Sequence, residues 1–179
     1  MQIVYLVVTQ SGTGFSKFIS HFTGNAPYAH AGLSYDKSLN PMYSFGRKFT
    51  YTLYPSGFIT KGFGTHFYNH HPNGRMLVYK LELTGEEADI FAKRLAPFLE
   101  KPKWYKYGMI NCFAYYLGKP SHRVRHFTCV GFVADMIDGF VHFDKDTSLV
   151  NAMDMCALGL PLLYEGSFKD FSADALKDK

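Results

Sequence analysis

The stretch HFTCVGFVADMID, residues 126–138, decides how this chain is interpreted. Thr128 is a good helix N-cap, and apolar residues at helical spacing follow it up to Gly139, which predicts a helix from Thr128 to about Asp138. Cys129 takes the first helical position. Unpaired N–H groups and the helix dipole favour an anion there, which lowers the pKa of a thiol and populates the thiolate. The sequence therefore marks Cys129 as a candidate nucleophile.

Cysteine on the apolar stripe of a helix is also a common core residue, and the same pattern is compatible with an inert, buried Cys129. Cys112 and Cys156 lie in apolar segments and are interpreted as core residues. A nucleophilic cysteine needs a base, usually a histidine that the fold brings close to it. Among eight histidines, His30 is the candidate, because it opens a predicted strand next to two small residues. The alternative for His30 is an edge-strand histidine in contact with water.

A zinc site is the competing interpretation of this region. His122, His126 and Cys129 are spaced as H-x3-H-x2-C, and His70 with His71 offers a further ligand. The spacing is not that of a zinc finger, and a bound metal would consume the thiolate. The sequence also contains no phosphate-binding loop and no dinucleotide fingerprint. We therefore expect no metal and no cofactor.

Composition narrows the class of protein. The 179 residues are 47% apolar and 19% charged, which excludes a disordered or fibrous chain and predicts one folded domain over residues 1–179. Three cysteines do not form a disulfide framework and are typical of a reducing compartment. The apolar run Ile3–Val8 is too short for a signal peptide or a membrane span. We therefore expect a cytoplasmic protein without a stable membrane anchor.

Charge is distributed unevenly along the chain. The net charge of +4 does not by itself indicate nucleic acid, but residues 101–126 contain six Lys or Arg, no acid and six aromatic residues. Such a mixture can bind single-stranded nucleic acid or a phosphorylated partner. The simpler interpretation is a solvated basic face above a buried aromatic stripe. We expect no nucleic-acid partner.

Strand and helix signals alternate along the chain, with no repeat and no linker that would divide it. Strands are predicted at Ile3–Thr9, Ala29–Tyr35, Met42–Phe45, Gly57–Thr60 and Arg75–Leu83. Helices are predicted within Ser11–Gly24, from Thr84 to about Pro97, and at Tyr107–Leu117, Thr128–Asp138 and Thr147–Ala157, before a frayed tail after Phe171. The expected fold class is α+β, a small antiparallel sheet packed against helices.

The order of a strand histidine, a hairpin and a cysteine at a helix start is the reverse of the order in papain. It resembles the circularly permuted, NlpC-like papain-fold superfamily, which includes the lecithin:retinol acyltransferase-like proteins. The resemblance covers roughly residues 2–140, and MYSFGRK soon after HAGLSYD is similar to bacterial and phage-type members. The matching stretches are VVTQSGTGFSKFISHFTG, YAHAGLSYD, MYSFGRK, GFI and FTCVGFVADMID.

The resemblance implies that Cys129 is the nucleophile and His30 the base of a permuted papain-like fold. The superfamily's third residue is a polar side chain on the following strand, and the matching position is Ser44, with Tyr43 as the alternative. Serine orients an imidazole less strongly than a charged group, because it cannot stabilise imidazolium by charge. Val130 also departs from many relatives, which have a small polar residue after the cysteine.

The function implied is a cysteine hydrolase that attacks an amide carbonyl, in a peptide or an amide-linked adduct, through an acyl-enzyme. The expected partner is a small-molecule or peptide substrate with a carbonyl centre. Gln10, after the first strand, is a candidate donor to the oxyanion. The aromatic segment 49–68 and Trp104–Tyr107 are expected to supply the pocket walls. Two other functions stay open: an acyltransferase or thioesterase acting on lipid or thioester substrates, and a non-catalytic binding module on the same scaffold.

Overall fold

The computed structural model describes residues 1–11, 27–49 and 54–176, which form two four-stranded sheets and five helices. The strands are β1 (Gln2–Gln10), β2 (His30–Ser34), β3 (Ser44–Arg47), β4 (Ser56–Ile59), β5 (Arg75–Leu83), β6 (Lys106–Tyr107), β7 (His126–Phe127) and β8 (Leu162–Ser167). The helices are α1 (His66–His70), α2 (Gly85–Glu100), α3 (Met109–Tyr116), α4 (Cys129–Ile137) and α5 (Ala152–Cys156). The mixed α and β character is as predicted. The helix expected before Gly24 falls on residues 12–24, outside the described residues.

The first sheet is antiparallel throughout, in the order β2-β1-β5-β8. The apolar, β-branched run of β1 forms its centre, since such residues pack well on both faces of a buried strand. Val4, Leu6 and Val8 face the larger hydrophobic core, whereas Tyr5 and Val7 face a smaller core on the other side. The sheet is therefore covered on both faces, and the candidate site lies on the side of the larger core.

The prediction of a single antiparallel sheet is wrong, because a second sheet forms in the order β3-β4-β6-β7 and its last pair is parallel. The expected hairpin with β2 is reduced to one bridge, in which Leu33 and Tyr43 exchange backbone hydrogen bonds of 2.7 and 3.0 Å. The chain then turns to pair with β4. Gly57 permits the next pairing, because a Cβ there would collide with the carbonyl oxygen of Tyr105.

Helix α4 starts as the sequence predicts, with Thr128 as its N-cap. The Thr128 hydroxyl accepts a hydrogen bond of 2.9 Å from the backbone N–H of Gly131. Phe132 is fully buried, and its ring packs against three other rings of the larger core at centroid distances of 5.0–5.7 Å. Those three rings belong to Phe45, Phe58 and Phe98. This packing fixes the N-terminus of α4 beside β2 and β3.

Three predicted boundaries are corrected. Helix α2 has the expected capping box but continues through Pro97 to Glu100. The single helix expected at Thr147–Ala157 is divided into a 3₁₀ turn and α5, because the side chain of Asn151 caps a new helix start. The tail is not frayed as far as Leu176, whose side chain is buried in the smaller core. None of the helices in the described ranges has the length and apolar character that a bilayer crossing requires.

Candidate active site

Cys129 is the first residue of α4 and is 4% exposed. Its sulfur lies 3.8 Å from the carbonyl oxygen of Ala29, which precedes β2. The sulfur also borders a narrow cleft with a volume of about 40 Å³. A volume of this size holds a few water molecules or the reacting group of a substrate. Burial in the core and access to a cleft, which the sequence presented as alternatives, are combined at this position.

His30 opens β2 and connects Cys129 to Ser44. The imidazole lies close enough to the Cys129 thiol to lower the pKa of that thiol by its charge and by hydrogen bonding, and its Nε2 lies 3.2 Å from the Ser44 hydroxyl oxygen. The fully buried Ser44 hydroxyl donates a hydrogen bond of 2.5 Å to the carbonyl oxygen of Ala31. Because the Ser44 hydrogen is committed there, its oxygen accepts from Nε2–H, which leaves Nδ1 of His30 as the nitrogen for the thiol.

Tyr43 does not take the place of Ser44 in this chain of hydrogen bonds. Its ring stacks on Phe58 at a centroid distance of 6.5 Å and meets the edge of Tyr35 at 6.2 Å. Successive side chains of an extended segment point to opposite faces, so that only one of two neighbours faces the imidazole. The structure therefore brings together Cys129, His30 and Ser44, the three residues selected from the sequence.

Two opposing influences set the pKa of the Cys129 thiol. Burial is the largest single influence and raises it, whereas the nearby positive charge of His30 and hydrogen bonding to the His30 ring lower it. Hydrogen bonds from the Ala31 backbone and the Tyr107 phenol act in the same direction. The pKa of Cys129 is therefore lowered from its ordinary value, as the position at the helix N-terminus also favours. This arrangement favours a thiolate–imidazolium pair.

Tyr107, at the end of β6, is expected from the sequence only as a pocket-wall residue, and the sequence does not reveal its proximity to Cys129. Its phenol oxygen accepts a hydrogen bond of 3.9 Å from the thiol of Cys112, and hydrogen bonding by the phenol lowers the pKa of Cys129. Burial, followed by the charge of Cys129, raises the pKa of Tyr107 well above its ordinary value. The phenol therefore keeps its proton at neutral pH and acts as a donor. Only the parallel pairing of Tyr107 with Phe127 brings it near Cys129, which local sequence does not encode.

The two other cysteines differ from Cys129. Burial, together with the charge of Cys129, raises the pKa of Cys112 to about 11. Burial also raises the pKa of Cys156. Both side chains are half-buried and pack against the larger core, and Cys112 also borders the same cleft as Cys129. Burial therefore disfavours the thiolate at these two cysteines, whereas the pKa of Cys129 is lowered.

The cleft walls do not come from the segment expected to supply them. Of that segment, Phe58 is packed in the larger core and Phe63 against the smaller one, while Tyr51 lies outside the described residues. Tyr107 does line the cleft, as predicted for Trp104–Tyr107. The other wall residues include Tyr28, Tyr115, Val130, Val150 and Ala152.

A second cavity, with a volume of about 220 Å³, adjoins the cleft and shares Thr128 and Ser148 with it. Most of its lining residues carry polar or charged side chains, among them Asn111, His122, Arg123, His126 and Asp135. The side-chain oxygen of Asn111 is buried and has no hydrogen-bond partner among the described residues. This second cavity therefore offers polar groups to a ligand that extends from the cleft.

Gln10 ends β1, next to Thr9, the strand partner of His30. Strand alternation places Gln10 on the face that carries Leu6 and Val8, which is the face toward α4. Gln10 is not among the residues that line the cleft, and its role toward an oxyanion stays a prediction.

The residues of the zinc interpretation have other partners. His122 Nε2 lies 2.8 Å from a carboxylate oxygen of Asp146, and His126 Nδ1 lies 2.8 Å from the carbonyl oxygen of Val124. Among the residues that the structure describes, no three His, Cys, Asp or Glu side chains are grouped closely enough to hold a metal ion.

Comparison of the chain with protein-family models, with curated proteins and with solved structures finds no match. The chemistry of the site must therefore be argued from its geometry.

Proposed function

We propose that the protein is a cysteine hydrolase that cleaves an amide bond in a peptide or an amide-linked adduct, on a permuted papain-like fold. One observation carries the proposal. A cysteine with a lowered pKa begins a helix beside an imidazole, and the imidazole is hydrogen-bonded to a buried serine. An adjacent base and a third group that orients the base are the usual means of activating a thiol nucleophile.

The reaction follows from these contacts. The thiolate of Cys129 attacks the substrate carbonyl carbon, and the C=O π electrons move to the oxygen. When the tetrahedral intermediate collapses, protonated His30 gives its Nδ1 proton to the leaving amine and a thioester remains on Cys129. His30 then takes a proton from water, the resulting hydroxide attacks the thioester, and an acid product leaves as the thiolate is regenerated. Ser44 holds the ring in the orientation that both proton transfers need.

Two groups are suited to stabilise the oxyanion. Helix α4 begins at Cys129, so the first N–H groups of the helix belong to the turn that carries the nucleophile, and the dipole of the helix adds to their effect. The phenol of Tyr107 is a second donor, because its raised pKa keeps it protonated beside the reacting sulfur. Gln10 is a third candidate.

The walls of the cleft and its neighbour favour a polar substrate with a narrow reacting group. The cleft is narrow, while the adjoining cavity is lined by residues with amide, imidazole, guanidinium and carboxylate groups. The buried side-chain oxygen of Asn111 has no partner among the described residues, so a peptide N–H is suited to donate to it, whereas an acyl chain would leave it unsatisfied. This is why amide chemistry is preferred to lipid acyl transfer.

An activated ester tests the proposal without knowledge of the natural substrate. We expect p-nitrophenyl acetate to acetylate Cys129, as detected by peptide mapping, and to be turned over. Both effects should be lost in Cys129→Ser and strongly reduced in His30→Ala. Cys112→Ser is the matched control and should retain both, because Cys112 stays protonated. Acetylation spread evenly over the three cysteines, or none at all, would contradict the proposal. Release of p-nitroaniline from a mixture of peptide anilides, dependent on Cys129, would establish amide cleavage.

A further inference from the structure

Helix α3 has its apolar face toward solvent. Five apolar or aromatic side chains on and just after the helix are at least half exposed. At 100° per residue they occupy one arc of about 120°. They are Met109, Ile110, Phe113, Tyr116 and Leu117. The expected buried aromatic stripe is thus wrong for Phe113 and Tyr116. An exposed apolar patch of this kind marks an interaction surface.

Basic residues surround this face in the chain. Six Lys or Arg and no acid lie in residues 101–126, and none of the six forms an ion pair within the described residues. Two of them contact the half-exposed Trp104: Lys101 Nζ and Arg125 Cζ each lie 4.5 Å from the centroid of its ring. Val124, in the same segment, is 82% exposed. We call residues 101–126 the α3 surface.

We propose that the α3 surface binds the face of an anionic lipid membrane. A short helix with an exposed apolar face, flanked by cations and tryptophan, is suited to lie in the headgroup region, with its apolar side chains at the acyl boundary. With eight residues, α3 is about 12 Å long and therefore lies on a bilayer and does not cross it.

The charge and the type of side chain select this partner. Six uncompensated cations are complementary to acidic headgroups. Nucleic acid is also acidic, but it binds by stacking its bases on exposed aromatic rings. Most of the exposed side chains of the α3 face are aliphatic or methionine, which cannot stack in this way. A second copy of this chain, if it paired the same surface with itself, would place cations against cations.

Membrane binding would also place the candidate site close to the lipid surface. On the opposite side of α3, Cys112 and Tyr115 line the cleft that contains Cys129. Helix α3 therefore contributes one side to the cleft and the opposite side to the exposed apolar face. Binding itself does not depend on the thiol, so this proposal stands or fails separately from the proposed hydrolase.

Vesicle flotation with the full chain tests the proposal. We expect binding to phosphatidylcholine vesicles that contain phosphatidylserine to exceed binding to pure phosphatidylcholine by about tenfold, and to fall as salt rises from about 0.1 to about 0.5 M. Phe113→Gln and Ile110→Gln should each reduce binding by about tenfold. Ile90→Gln changes an exposed isoleucine on α2 and should have no effect.

Charge is tested in the same assay. Lys103→Gln and Lys119→Gln should each weaken binding about fivefold, whereas Lys93→Gln on α2 should not. Cys129→Ser should bind like the wild type, which separates this result from any failure of the hydrolase. Equal binding by wild type and Phe113→Gln would overturn the proposal. A wild-type protein that does not bind vesicles would also overturn the proposal. If Phe113→Gln abolished self-association or oligonucleotide binding in that case, the surface would serve one of those partners and not a membrane.

Discussion

At the scale of single residues, burial raises the pKa of Cys129, but His30, together with hydrogen bonds from Ala31 and Tyr107, lowers it further than burial raises it. Since the thiolate is the reactive form, alkylation by iodoacetamide should rise with pH and level off well below the range of a free thiol, about pH 8.5. In His30→Ala burial remains and the largest of the lowering influences is gone, so the alkylation midpoint of Cys129 should move upward. Peptide mapping after timed alkylation at several pH values measures this midpoint.

Cys156 supplies an internal control for that profile. Burial raises its pKa, so that its alkylation midpoint should lie above that of Cys129 in the wild type and should not respond to His30→Ala. If Cys129 instead titrates like a free thiol, with or without His30, the two side chains do not form an ion pair. A binding module would then be the better description of the protein.

The substitution Tyr107→Phe removes the phenol oxygen and keeps the aromatic ring, so it tests the role of the oxygen alone. Loss of the hydrogen bond to Cys129 should move the alkylation midpoint of that thiol upward. If the phenol also serves the oxyanion, the rate of acetylation by p-nitrophenyl acetate should fall by about tenfold to 1,000-fold even at a pH where Cys129 is fully ionised. Rates measured on that plateau distinguish the two roles. Cys112→Ala removes the phenol's other sulfur partner and should leave the plateau rate close to the wild-type value.

At the scale of elements, the N-cap of α4 links helix stability to the site. Thr128→Ala removes the acceptor for the N–H of Gly131 and should lower the free energy of unfolding by about 1 kcal/mol. It should also slow alkylation of Cys129, because the first turn of α4 loses its fixed geometry. Thr84→Ala removes the corresponding cap of α2 and is the matched control. It should destabilise the fold by a similar amount without changing the reactivity of Cys129.

Local signals explain which elements the sequence predicts. The alternation in Arg75–Leu83, the capping box at Thr84 and the cap at Thr128 each act within a few residues, and the structure has all three elements. Strand β8 gives a weak signal, since its residues are mostly half-exposed or exposed and its partner β5 has a bulge beside it. Its pairing depends on residues about ninety positions away.

The candidate site likewise combines residues that local sequence predicts with residues that only the tertiary fold brings together. Cys129 is predictable because a helix start has a local sequence pattern, and His30 because it opens a strand. The contact of His30 with Ser44 requires the chain to leave the first sheet after the Leu33–Tyr43 bridge and to form β3, which no local pattern encodes. Tyr107 depends likewise on a pairing of only two residues between β6 and β7. A short pairing of this kind is decided by tertiary packing, and not by strand propensity.

At the scale of the whole molecule, β1 and β5 are shared by both hydrophobic cores. Leu6 and Leu81 face the larger core, while Val7 and Val78 face the smaller one. Loss of either core would expose one whole face of the same two strands. The prediction of a single domain therefore implies that both cores unfold together.

Phe168 tests this coupling, because it is buried in the smaller core, on the side of the sheet away from the candidate site. Phe168→Ala should cost about 3–5 kcal/mol of unfolding free energy, and Phe168→Leu less. Trp104, the only tryptophan, lies beside the second sheet. If the cores are coupled, its fluorescence transition in urea shifts as far as the circular dichroism transition. A dichroism shift with an unchanged Trp104 transition would mean that the chain contains two independent units. Alkylation of Cys129 under native conditions should stay at the wild-type rate, because the larger core that holds α4 is not altered.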